Sequence, residues 1–187
     1  MLLVGIAVNS FAAAAIAVVT FANPASQQIG ATYWLLGSLG ATGWLDILVM
    51  TPAVAASLIV LYAVAPDIDS AVLGDSAARS LDVDTRRLQW TVVAAVAVAT
   101  AAVTSVGGVV RFVGLVAPTL TRRFMGAKHR PLLVGSALSG ALLTVLADAV
   151  ARTMFAPTEL PIGVITVGIG APVFLAVLLG EEKAGRM

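Results

Sequence analysis

Apolar runs of membrane-spanning length, separated by short polar clusters, organise the chain from end to end. No Asp, Glu, Lys or Arg precedes Asp46, so Met1–Ala22 is one uninterrupted run, closed by the turn-forming pair Asn23-Pro24 and by Ser26, Gln27 and Gln28. Further charge-free runs follow at Ile47–Pro66, Leu88–Val110, Phe112–Thr121, Pro131–Ala147 and Leu160–Gly180. Most of them reach about 20 residues, the length with which a helix crosses about 30 Å of hydrocarbon. Phe112–Thr121 is too short for that; it follows Gly107-Gly108, carries Pro118, and predicts a short or broken span sheltered by its neighbours. The pattern therefore predicts an all-α, polytopic transmembrane helix bundle with about six spans. Met1–Ala22 lacks the charged start of a secretory signal and is long for its apolar part, which favours a span over a cleaved leader. Ile29–Gly43, with Tyr33, Trp34 and the adjoining Trp44, predicts a partly inserted helix at the outer interface, where Trp and Tyr prefer to sit.

Composition excludes other classes. With 59% hydrophobic and 11% charged residues, the chain lies far from the soluble average of about 45–50% apolar and 25% charged. A net charge of +1 gives no broad basic face for nucleic acid. The absence of Cys and the single His129 give neither a disulfide framework nor a metal-ligand cluster. No Walker A loop, nucleophile elbow or paired carboxylates appear, so the chain is expected to be neither an enzyme nor the holder of a cofactor.

Charge is distributed unevenly. Arg79, Arg86, Arg87, Arg122, Arg123, Lys128, Arg130, Lys183 and Arg186 fall in segments that six alternating crossings place on one side. By the positive-inside rule that side is the cytoplasm, which also receives both termini. Arg111, Arg152, Asp46, Asp148 and Glu159 fall on the other face.

Three polar segments and one helix stripe are candidates for function. Asp67–Arg87 has mixed charges at helical spacing; Asp75 and Arg79 form an i, i+4 pair, and Ala77, Ala78 and Leu81 give that stretch an apolar side. On physics alone it serves equally as a lid on the bilayer surface. His129 and Arg130 occupy a second basic connection, with a topology-fixing turn as the plain alternative. Asp148 and Arg152 lie one helical turn apart near a span end, where they either close the helix as an ion pair or present a charge for use. Thr166 in the last span, and Gly5, Asn9 and Ser10 in the first, are small or polar positions that either line a passage or mediate helix contacts.

The order of motifs LGDSAARSL, RFVGLVAPTLTRRFMGAKHRPLL and LADAVARTMFAPTELPIGVITVGIGAP resembles the FecCD-type permeases of ABC transporters that import ferric siderophores, haem and cobalamin. The resemblance runs from about Leu2 to Leu179 and matches only the C-terminal part of that family's longer, ten-helix subunit. It implies that residues 1–187 form one transmembrane permease domain in the cytoplasmic membrane, N-terminally truncated relative to the family, with 67–87 as its cytoplasmic coupling segment. It implies further that Leu73, Gly74, Asp75, Ala78, Arg79 and Leu81 meet an ABC ATPase, which binds ATP and Mg. Gly126, His129 and Arg130 belong to the second cytoplasmic loop, Arg152 and Glu159 dock an extracytoplasmic binding protein, and Asn9, Ser10 and Thr166 line the pathway. Asp82 stands where the family usually has Gly, Thr119 where it has His, and Lys128 where it commonly has Asp. A second permease copy, membrane lipid and an iron chelate are the other expected partners, with siderophore-bound Fe(III) the expected cargo. The competing expectations are a split-gene fragment that does not transport and, from a different class, a self-contained channel or secondary carrier.

Overall fold

The six apolar runs each become a helix in the computed structural model, which describes residues 2–22, 25–40, 42–72, 74, 84–154 and 160–184. The helices among these residues are α1 (Leu2–Ala22), α2 (Ala25–Leu36), α3 (Trp44–Val72), α4 (Thr85–Gly107), α5 (Val113–Met125), α6 (His129–Thr153) and α7 (Ile162–Ala184). Four of them, α1, α3, α4 and α6, are long and apolar enough to cross a membrane. With its 13 residues, α5 is short, as Phe112–Thr121 predicted, and it buries Val116, Ala117 and Thr121 among its neighbours.

Two helix pairs make up most of the packing. α3 lies along α4, and α5 lies along α6; α7 rests on α5 and α6, while α3 meets α6 along a narrower seam. Small residues allow the close approach, because between helices in lipid packing rather than hydrophobic expulsion drives association. On α6 the buried positions are Leu132, Gly135, Gly140, Ala147 and Ala151. The hydroxyls of Thr121 on α5 and Ser139 on α6 bond to each other at 3.0 Å. Outward, the chain is apolar: Leu3, Phe11, Leu48, Leu138 and Leu142 are among the exposed large side chains, as bilayer contact requires. α1 buries none of its spanning window among the described residues and packs chiefly on α2.

Two sequence boundaries need correction. The interfacial helix expected over Ile29–Gly43 runs instead over Ala25–Leu36. Gly37, at φ +76°, stops it by taking a conformation only glycine adopts freely, with its N–H on Trp34 O at 3.2 Å. The polar stretch 67–87 is likewise shorter as a connection. α3 carries on past Pro66 to Val72, giving a helix of 29 residues, about 44 Å long and so well beyond the hydrocarbon thickness. At the other end Asp84 caps α4, its Oδ1 accepting from the N–H groups of Arg86 and Arg87 at 3.0 and 3.1 Å.

Candidate functional site

At one end of the bundle the C-terminus of α3 meets the N-terminus of α6. Lys128 precedes α6 and makes no side-chain cap. The first N–H of a helix has no partner within it, and here that donor, on His129, reaches Asp69 Oδ1 of α3 at 3.1 Å. The same oxygen accepts from His129 Nδ1 at 2.5 Å. One carboxylate oxygen thus holds both the backbone and the ring of the first residue of α6. Asp69 lies past Pro66, beyond the apolar run, and the bond from the His129 ring, the backbone bond and the nearby Lys128 hold its carboxyl below its ordinary value. Two turns back along α3, the Tyr62 ring takes the Arg130 guanidinium 5.2 Å from its centroid, a cation–π contact that fastens the second residue of α6 to the same helix. Arg86 and Arg87 at the start of α4, and Arg122 and Arg123 in the last turn of α5, put basic residues at the ends of those helices as well.

At the opposite end, α2 finishes between two other segments. Val109 N–H donates to Trp34 O at 3.1 Å and Ser38 N–H to Gly107 O at 3.1 Å, which joins the end of α2 to the α4–α5 link. Gly163, in the first turn of α7, comes so close that a Cβ there would lie 1.9 Å from Leu36 O. Phe112 adopts φ 66°, left-handed for a non-glycine residue, where α5 begins. A Cβ on Gly170 of α7 would lie 2.4 Å from the Phe112 Cβ. In the last turn of α6, Arg152 Nε donates to Asp148 Oδ2 at 2.8 Å, the i, i+4 ion pair the spacing predicted.

The remaining candidates distribute as follows. Gly74, at φ +108°, follows the end of α3 with its N–H on Ala71 O at 3.2 Å. Leu73, Asp75, Ala78, Arg79, Leu81 and Glu159 lie outside the described residues. Gly126 ends α5 at φ +76°, its N–H on Arg122 O at 3.1 Å. Asn9 and Ser10 are exposed on α1. Thr166 is buried and donates to Gly163 O at 3.1 Å. Asp69 lies within the candidate stretch 67–87 but carries no individual signal there, and Tyr62 lies in an apolar run. Their seven-residue spacing puts them on one face of a helix, but nothing local tells that face what it meets.

The comparisons with known proteins agree among themselves. The FecCD transport family profile matches residues 1–180. The vitamin B12 import system permease protein BtuC of Vibrio cholerae is 40% identical over 98% of this chain and 55% of its own length. The hemin transport system permease protein HmuU of Yersinia pestis is 37% identical, again over 98% of this chain and 55% of its own. The Fe(3+) dicitrate transport system permease protein FecD of Escherichia coli is 39% identical over 80% of this chain and 47% of its own. A solved inward-facing ABC transporter assigned to the metal-chelate type superposes with a TM-score of 0.89 at 26% identity, over 95% of this chain and 58% of that one. The chain spans about half the length of the curated relatives it matches.

Proposed function

From a chain that belongs to the FecCD transport family, and whose helices make it a multi-pass membrane protein, we propose the permease subunit of an ABC importer that passes a metal chelate across the cytoplasmic membrane. The observation that carries this reading is the family match over residues 1–180; the joining of α3 to α6 through Asp69 and His129 supports it, because the C-terminus of α3 and the N-terminus of α6 then share one end of the bundle. The basic residues at that end make it the cytoplasmic one by the positive-inside rule, and both termini then lie inside. Residues 73–83 meet a separate ABC ATPase that binds ATP and Mg, and Arg79 is the basic residue of that contact. Alternating access follows as nucleotide-driven movement of that segment is passed to the helices. The cargo is an iron–siderophore or another bulky metal chelate; hemin, vitamin B12 and ferric dicitrate in the relatives' names share that chemistry. The subunit works as a pair of permeases.

A proton-coupled carrier would require ionisable groups in the membrane interior. Among the described residues the buried polar side chains are Ser57, Thr121 and Thr166, none of them ionisable, which favours a passage powered from outside the chain.

The test is to purify the tagged chain from its native membranes and look for an ABC ATPase, identified by its Walker A peptide. Wild type retains it, and Arg79→Glu lowers retention roughly tenfold or more, as reversal of an interface arginine does. Wild type that retains no ATPase defeats the reading. At the opposite face, Arg152 steers an extracytoplasmic binding protein, with Glu159 close to it in sequence. Reversal by Arg152→Glu slows association roughly tenfold in low salt, and the difference shrinks as salt rises, because rim charges act on encounter more than on affinity. Stopped-flow mixing with the labelled binding protein reads both.

A further inference from the structure

The two cytoplasmic connections leave the bundle from different helix pairs. Residues 73–83 link α3 to α4, and residues 126–128 link α5 to α6. A push on 73–83 acts directly on the α3/α4 pair. It reaches the α5/α6 pair through the narrower α3–α6 seam, whose cytoplasmic end is fastened by Asp69 on His129 and by Tyr62 under Arg130. A helix N-terminus is ordinarily capped by its own preceding residue. Position 128, which would do this for α6, is Lys, a side chain with no acceptor. The acceptor comes instead from another helix.

We propose that Asp69 is a positioning residue that makes the α3/α4 and α5/α6 pairs move as one body at this end, a cap supplied across helices so that displacement of the C-terminus of α3 is delivered to α6 and its partner α5 as well. A local cap would stabilise α6 equally well but would leave this end of the seam held by Tyr62 under Arg130 alone. The cross-helix cap stabilises α6 and fastens the seam as well, since the oxygen that accepts the His129 N–H also holds the ring. The inference rests on the permease reading, because it concerns how the ATPase's movement is passed on.

The chain contains no Cys, so two introduced cysteines at the exposed positions Val72 and Ala127 take spin labels without background. Label separation is measured by pulsed EPR in nanodiscs holding the permease with its ATPase, nucleotide-free and then trapped with ATP, Mg and vanadate. Wild type keeps one narrow separation in both states. Asp69→Leu gives a broadened separation that changes on trapping. The decisive variant is Asp69→Leu combined with Lys128→Asp, which restores a local cap: its thermal midpoint returns toward wild type, while the separation stays broad and nucleotide-dependent. Uptake into proteoliposomes of hemin, cobalamin or ferric dicitrate, whichever wild type takes up, stays roughly tenfold down in that double variant, the usual size of a coupling between sites. Basal ATP hydrolysis is retained. If Lys128→Asp restores uptake along with stability, Asp69 is a cap only and the proposal falls. It falls also if Asp69→Leu keeps the narrow, fixed separation. Should Asp69→Leu alone fail to insert, the double variant carries the test by itself. Wild type that binds no ATPase overturns the permease reading and this inference with it, whereas binding with independent movement of the two connections overturns this inference alone.

Discussion

Gly163→Ala is expected to destabilise the bundle by about 3 kcal/mol or more, at the upper end of what overpacking does. The added Cβ would lie 1.9 Å from Leu36 O and 2.9 Å from Leu36 C. Both are backbone atoms at the end of a helix, so no side chain can rotate away. An ordinary carbon–oxygen contact needs about 3.3 Å, so α7 or α2 must move by more than about 1 Å. α2 cannot easily give, because its last turn is already held through Trp34 O and the Gly37–Ser38 turn to the α4–α5 link. In detergent the thermal midpoint should fall by roughly 10 °C. Of the three Trp residues, Trp34 stands at the junction, so its fluorescence reports the disturbance locally. The control lies on the same helix: a Cβ added to Gly168 would meet no atom within 4 Å, and Gly168→Ala is expected to be neutral or to stabilise slightly through helix propensity. Equal losses from both substitutions would mean that the contact with Leu36 does not set the sensitivity of α7.

Gly108→Ala is the second large effect, with two independent causes. Gly108 sits at φ 69° and ψ −163°, a region open almost solely to glycine. A Cβ there would also lie 2.2 Å from Trp34 O. Backbone strain of about 1–3 kcal/mol adds to the steric cost, and the neighbouring bond from Val109 N–H to Trp34 O is lost as the carbonyl is pushed aside. The expected result is little folded protein recovered in detergent and loss of protease protection in the α4–α5 link. Gly114→Ala, at a helical position with nothing within 4 Å, supplies the control. Recovery of Gly108→Ala at wild-type level would show that the α2 end is not fixed against this link.

Both substitutions act at one junction. The ends of α2, α4 and α7 come together there through backbone atoms, at the end of the bundle opposite Asp69 and His129. This end of the bundle therefore has its own backbone joint, while the Asp69 end is joined by side chains. A backbone joint resists change in side-chain chemistry but tolerates no added atom. A side-chain joint, such as Asp69 on His129, can be loosened or retuned by single substitutions.

Sequence by itself determined the helices, because the need to satisfy every backbone group inside lipid makes an uninterrupted apolar run a helix wherever it lies. It also determined the family, through motifs whose spacing survives in one dimension, and the Asp148–Arg152 pair, which is local to one helix turn. Helix ends were less legible. α3 continues through Pro66 to Val72, and α2 begins and ends earlier than its aromatic residues suggested. Only the tertiary structure decided what meets across helices: that Asp69 caps a helix 60 positions away, that Thr166 turns inward, and that Gly163 and Gly108 mark backbone contact with α2 while Gly168 marks none. The physical reason is that a helix face carries no label for its partner. Small residues make close approach permissible on every side, and which side is used follows from how the helices are arranged together.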